Sequence, residues 1–351
     1  MGVWYATQEQ ILNALEILQS SYSNALIGQK LEWSSRSIER QLHRRFYPEL
    51  RTISKDWPNY SDGYAWQIDL NDQEMISLTS VVSGGTDITS DCFLRRGDDL
   101  AEPPYSILQV SLASRFAFST SVTFQKSLVL TGLFGYKDTD TSLPSALFAV
   151  DVNSSATSIT LKPSNNALGI GVGSLIYTGT ERMLITARVM ASTGETISAD
   201  VAAAQASTSL SSAGAANFGV GEVILIDSER MRINDIAGTT LIVDRAWDGT
   251  VLATHSSGAG IYALRQCTVE RGALGSTAAS HTTGDAVYSH SFEVNELCIA
   301  ETVCALEQNA GAYARTIGTG SSARDAVGGG LEDIRDMTYA AYGRMSRSDV
   351  V

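Results

Sequence analysis

Residues 171–186 read GVGSLIYTGTERMLIT, and the same pattern returns 48 residues later, over 219–234, as GVGEVILIDSERMRIN. A run that recurs at a fixed offset marks a structural unit used twice. A second echo, offset by 26, pairs RAWDGTVLATHSSGAGIY (245–262) with RGALGSTAASHTTGDAVY (271–288), and Arg, Gly, Ala, His, Gly and Tyr keep register between them. The surrounding region, 151–290, is rich in Ser, Thr, Gly and Ala, poor in charge and full of short strand-like runs. It is predicted to be built from duplicated small β modules. Between the two GVG copies, residues 199–216 are almost wholly Ala, Ser, Gln, Thr and Gly, a composition that fits either a mobile loop or a poorly packed helix.

Upstream, from Trp66 to Val150, the apolar period is two. Trp66, Ile68 and Leu70 alternate with Gln67 and Asp69, and Gly84-Gly85, Gly97-Asp98-Asp99 and Pro103-Pro104 separate the runs, a pattern of short antiparallel strands. Both ends of the chain change to a helical period. Thr7 and Gln10 have capping-box spacing ahead of a stripe of Ile11, Leu15, Leu18, Tyr22 and Leu26. Ile27, Leu31, Ile38 and Leu42 continue into a second helix whose end carries Arg40, His43, Arg44 and Arg45 before Pro48. After Ser291, Ile299, Val303, Leu306, Ala310 and Tyr313 mark a third helix, and Ile334, Thr338, Ala341 and Met345 a fourth. The fold class predicted is α+β: a body of helices from both chain ends plus short antiparallel strands, with an inserted all-β lobe. The domain boundaries expected are 1–150, 151–290 and 291–351, and deleting 151–290 is expected to leave a soluble helical protein.

Composition narrows the function. With 38 acidic and 25 basic residues the net charge is −13, which argues against a protein that grips nucleic acid by its phosphates but not against one that DNA slides past. The four cysteines (Cys92, Cys267, Cys298, Cys304) are irregularly spaced and are expected to be reduced thiols in a cytosolic setting. No leader or membrane-spanning pattern is visible, so the mature chain is expected to begin near Met1.

The motifs that carry chemistry elsewhere are weak here. Residues 318–323 match a loose GxGxxA, but after a helix instead of a strand, where a flexible loop explains them better. His255 and His281 occupy equivalent places in the two echoes without further ligands at metal spacing, and a turn contact within each module is expected. Asp98-Asp99 and the Asp138/Asp140 pair sit in turn-like segments where solvated Asp is routine. No catalytic residue, cofactor or metal is assigned. Arg36, Arg40 and Arg44, spaced by four, are expected to share one helix face that contacts DNA phosphate or an acidic partner, or is merely solvated.

WSSRSIERQLHRRFYP (33–48) resembles the N-terminal helices of tailed-phage head-to-tail connector proteins, the adaptor or head-completion family. LVLTGLFGYKDT (128–139) resembles the strand and turn closing their first β region, and TVERGALGSTAASHTTGDAVY (268–288) is similar to β repeats of phage virion proteins. CALEQNAGAYARTIGTG (304–320) with LEDIRDMTYAAYGR (331–344) resembles the terminal helical pair. The resemblance implies a non-enzymatic virion protein at the head–tail junction, assembled in the host cytoplasm. Its partners would be the portal protein, a neck or tail completion protein and its own copies in a ring, commonly a dodecamer. Genomic DNA would pass through without specific binding, and no membrane or cofactor is implied. The partner-binding residues expected are Arg36, Arg40 and Arg44, with Arg344, Met345, Arg347 and Val351 at the C-terminal tail. Alternatives are a tail, baseplate or fibre-attachment subunit and, from another class, a glycan hydrolase.

Overall fold

The capping box starts the first helix. Gln10 N–H donates to Thr7 Oγ1 (3.2 Å) and Thr7 N–H to Gln10 Oε1 (2.8 Å), so two orphan amides are satisfied where α1 (Gln8–Leu15) begins. α2 (Asn24–Leu42) starts on Ser23, whose hydroxyl accepts from Leu26 N–H, and buries Ile27, Leu31, Ile38 and Leu42. It stops where His43 enters the left-handed region (φ 51°). The computed structural model describes residues 2–15, 22–57, 66–71, 73–97, 101–164, 170–310, 316–317, 324–325 and 330–344.

Alternation then produces β1 (Glu49–Lys55), β2 (Gln67–Asp69), β3 (Met75–Ser83), β4 (Thr86–Asp87), β5 (Cys92–Arg95), β6 (Ile107–Val110) and β7 (Leu128–Phe134). They form two antiparallel sheets, ordered β1-β7-β3-β4 and β2-β6-β5. Ile68, Leu70, Met75, Val81, Leu108 and Leu130 make the core they share.

Ten further strands follow: β8 (Ala146–Phe148), β9 (Ser158–Pro163), β10 (Leu175–Thr178), β11 (Glu181–Thr196), β12 (Ser209–Ser211), β13 (Val223–Ile226), β14 (Glu229–Ala237), β15 (Thr240–Asp244), β16 (Gly260–Glu270) and β17 (Ala286–Ser289). They make two barrels that share two strands. In the first, β10 pairs with β11, β11 with β16, β16 with β9, β9 with β8, β8 with β17 and β17 with β10, a closed six-stranded circuit. It uses Leu184 to Val189 of β11 against Gln266 to Glu270 of β16. Beyond a register shift between Val189 and Ala191, the far half of β11 pairs with the near half of β16 in the second circuit. There β16 continues to β13, β14, β15 and β12, and Ser198 N–H donates to Ser211 O (2.7 Å) to bring β12 back to the end of β11.

Each strand of the second barrel has a counterpart in the first, in the same chain order. The β14–β15 hairpin, turning at Gly238, answers to the β11–β16 pair of barrel one. Barrel two therefore occupies the place of a hairpin turn in barrel one. The nesting leaves each barrel its own core: Phe148, Ile159, Ile176, Met183 and Val269 in the first, and Ile197, Leu210, Ile224, Met231 and Val243 in the second. After barrel one, α3 (Asn295–Ala310) packs on α1 and α2, β18 (Thr316–Ile317) pairs with β19 (Arg324–Asp325), and α4 (Leu331–Tyr342) lies on α3.

The predicted fold class is corrected. Among the described residues 36% are strand against 22% helical, and the molecule is a mostly β protein with a closed barrel, not a helical connector body carrying a β lobe. The helical periods stand out in sequence because each stripe is long. The strands are short and rich in Ser, Thr and Gly, so each gives a weak local signal although together they dominate. Nor is 151–290 a detachable lobe: Val172 and Leu175 of barrel one sit in the same core as Tyr5, Ile11, Leu31 and Leu297. Residues 191–263 make up barrel two, and the buried Arg265–Glu222 pair (2.9 Å) ties it to β16 beyond that boundary. Residues 199–216 form an irregular segment pinned at several points: Val201 bridges to His255, Ser209–Ser211 form β12, Leu210 and Ala215 are buried, and a 3-10 turn begins at Ala215.

Candidate functional site

The Glu-Arg-Met of each GVG run places a glutamate at the start of a strand, and the Arg…His echo wraps around it. In barrel one, Arg271 meets Glu181 with two parallel bonds, Nε to Oε1 (2.7 Å) and Nη2 to Oε2 (2.8 Å). The Gly272 and Ala279 N–H groups each donate at 3.0 Å, and His281 Nε2 lies 2.8 Å from Oε2. In barrel two the same bonds recur: Arg245 to Glu229 at 2.7 and 2.8 Å, Ala246 N–H at 2.8 Å, Ala253 N–H at 2.9 Å and His255 Nε2 at 3.0 Å.

Each arginine also ties down the segment ahead of β9 or β12. Arg271 Nη1 donates to Asn153 O and Ala156 O, and Arg245 Nη1 to Ala202 O and Ser207 O. The result is a buried clamp joining three pieces of backbone. Burial alone would raise each glutamate's pKa, but the arginine and backbone donors outweigh it and hold both at about 2. A carboxylate whose oxygens are filled by five donors has no capacity left for a proton or a substrate. These are structural clamps, each paired well enough to offset the cost of burying charge.

The two clamps differ at their histidines. Phe148 stacks on His281 (ring centroids 5.0 Å apart, 13° between planes), whereas His255 Nδ1 meets Asp227 at 2.7 Å, where barrel one has Gly179. Each histidine contacts its own module, but as a buried clamp member. Among the described residues no group of three or more His, Cys, Asp or Glu has a metal-binding arrangement. None of the four cysteines forms a disulfide, and three of them are buried.

A second assembly lies where α2, β7 and α4 meet. Phe46, Tyr136 and Tyr342 form a three-way aromatic contact with centroids 5.3, 6.2 and 5.8 Å apart. Beside it, Arg44 sits 3.0 Å from the buried Glu74 and 5.1 Å from the Tyr136 ring centroid, and Arg344 approaches Glu74 from the other side at 3.5 Å. Burial pushes the Glu74 carboxyl up, and the two arginines only partly reverse this. Arg344 N–H closes the assembly on Leu42 O (3.2 Å).

The predicted arginine face does not form. α2 ends at Leu42 and the left-handed turn at His43 swings Arg44 off the helix toward Glu74. Arg36 pairs with Glu39 (2.7 Å), reaches Val3 O and lies over the Tyr47 ring, so of the three only Arg40 is exposed. Met345, Arg347, Val351, Asp98, Asp99 and residues 318–323 lie outside the described residues. Asp138 pairs with Arg182 (2.9 Å), and Asp140 accepts Ser142 N–H (2.8 Å). Sequence reasoning missed Glu181, Glu229 and the aromatic contact. For the glutamates the signal was present in the paired Glu-Arg-Met. For Phe46, Tyr136 and Tyr342 no local pattern announces a contact among residues so far apart. No described helix is long and apolar enough to cross a membrane. No family model, curated protein or solved structure matches the chain.

Proposed function

We propose that this chain is a non-catalytic virion protein, a head-to-tail adaptor that forms a ring under the portal protein and joins it to the neck or tail around the DNA channel. One observation carries the reading: three of the segments that resemble the connector family converge on one point. Phe46 comes from the 33–48 motif, Tyr136 from 128–139 and Tyr342 from 331–344, and their rings touch. Motifs that meet in space are selected as one surface or one core. The saturated carboxylates of both barrels fit a part that works by holding shape. An overall charge of −13 suits a channel that DNA traverses without adhering.

The turn Trp247–Gly249 of barrel two is followed by Val251, 80% exposed, which favours a variant of the reading in which that barrel seats a tail or fibre protein. Particle averaging of the purified chain, alone and mixed with portal protein, tests the proposal. Rings stacked coaxially on the portal are expected, and portal particles without added density would overturn it.

A further inference from the structure

The connection from β6 to β7, residues 111–127, holds three apolar side chains in solvent: Leu112 is 76% exposed, Val122 96% and Phe124 55%. The connection is fixed in place. Phe118 is buried, Trp57 Nε1 donates to Phe118 O (2.8 Å), Gly84 N–H donates to Ser127 O (2.9 Å) and Ser119 N–H donates to Ser83 Oγ (2.8 Å). Its charged side chains, Arg115 and Lys126, are both exposed and both positive, in a chain of net charge −13.

The outer face of α4 has the opposite character. Leu331, Ile334 and Tyr342 turn toward the helical core, while Met337 (64% exposed) and Tyr339 (50%), two residues apart, are exposed on opposite flanks of the outward side. Exposed Glu332, Asp333 and Asp336 lie between them as an acidic strip, and Arg335 is turned away to Glu301 (2.9 Å).

We propose that these surfaces are the two halves of one contact between copies of this chain: the β6–β7 connection of one protomer seats on the outer face of α4 of the next. Apolar side chains meet apolar side chains, and two cations meet three carboxylates. Among the described residues, nothing in the chain that carries it covers either half. Because the halves differ, the contact is heterologous and propagates from copy to copy, as a ring requires. A loop already held in shape loses little entropy on docking, and its aromatic and aliphatic tips are the type of side chain that dominates interfaces. The inference rests on the ring reading for closure, but its surfaces are tested separately.

Sedimentation of the full chain makes the test, using a loop variant (Val122→Asp with Phe124→Asp) and a helix variant (Met337→Asp with Tyr339→Asp). All four positions are exposed, and unchanged melting of each variant verifies the fold. Each variant alone is expected to self-associate at least about tenfold more weakly. Mixed together, each keeps one sound face, so they are expected to form a one-to-one pair that grows no further. If both variants assemble like the unaltered chain, this contact is overturned while the ring stands. A full chain that stays monomeric both alone and on portal overturns contact and ring together. If the loop variant assembles normally but loses binding to vesicles of equal phosphatidylglycerol and phosphatidylethanolamine, the loop serves a membrane and the contact is likewise overturned.

Discussion

Barrel one and barrel two share a strand order, a buried clamp and one long two-stranded ribbon, yet only one of them is seated. In barrel one the 3-10 turn Ala273–Gly275 packs on β1, and Leu274 reaches the helical core. Gly275 approaches so closely that a Cβ there would strike the Leu50 carbonyl. Glu9 of α1 adds two ties, accepting Val172 N–H (2.8 Å) and pairing with Arg188 (3.1 Å). In barrel two the equivalent turn, Trp247–Gly249, carries Asp248 in place of Leu274, and Val251 beyond it is 80% exposed. The five bonds to each glutamate recur because they fix the barrel. The turn between its arginine and histidine is free to differ, because only main-chain groups of that turn take part in the clamp. Duplication kept the part that folds and altered the part that docks.

The comparison breaks most sharply at the clamps. Glu229→Ala leaves Arg245 buried without its carboxylate, at a cost of about 3–5 kcal/mol, and should melt barrel two while barrel one keeps its hydrogen-exchange protection. Glu181→Ala should cost a similar amount but expose both barrels, since both ends of barrel two run through β11 and β16. Equal loss of protection in the two variants would show that the nesting has no energetic consequence.

Acid separates the clamps from the seat. Glu181 and Glu229 bind protons more weakly folded than unfolded, so their stabilisation is full above the ordinary glutamate value of 4.5 and is lost as pH falls toward about 2. His290, at the junction between barrel one and the helices, is buried against Thr139 and Phe292 with Asp138, Lys137 and Arg182 nearby. Burial lowers it from 6.5 to about 4, so its neutral form stabilises the junction above 6.5 and that contribution fades between 6.5 and 4. Near-ultraviolet signals of the helical core should therefore change at higher pH than the β signal of the barrels. His290→Gln should remove the earlier step alone.

Smaller effects follow at the turns. Leu274 adopts the left-handed region (φ 53°), which suits Asp better than Leu, so its packing must offset that strain. Leu274→Asp should still lower stability by about 1.5 kcal/mol through lost burial, and Asp248→Leu should cost about 1.5–3 kcal/mol by removing the nearly buried carboxylate that pairs with Arg230, losses that denaturant titration resolves. Least of all, replacing 191–263 by a Gly-containing turn like that at Gly238 should leave the body and barrel one folded, because Ala191 and Ala263 are paired neighbours, with a small loss in melting from the Arg265–Glu222 pair that crosses the cut. Aggregation of that shortened chain would mean the barrels depend on each other.

The duplication was legible because the clamp demands the same residues twice: Glu181 and Glu229, Arg271 and Arg245, and His281 and His255 stand in register. Helix starts were legible at Thr7 and Gln10, where one local exchange of hydrogen bonds decides the matter. The nesting was not, because the border between barrels falls inside β11 and β16, continuous strands without a linker to mark it. Arg44 was misplaced because a single left-handed residue, His43, ends α2 before the four-residue spacing does. The weight of β structure was also hidden, since Ser209–Ser211 or Ala146–Phe148 reads as a strand only through its partners.

The virion neck itself gives the most direct test of the adaptor reading. The turn at Gly238 (φ 63°) has open space where a side chain would project, so it accepts a short peptide tag without disturbing either barrel. In images of tagged particles, antibody label is expected as a ring at the head–tail junction, outside the DNA channel. Label at the distal end of the tail, or none on the particle, would contradict the adaptor role.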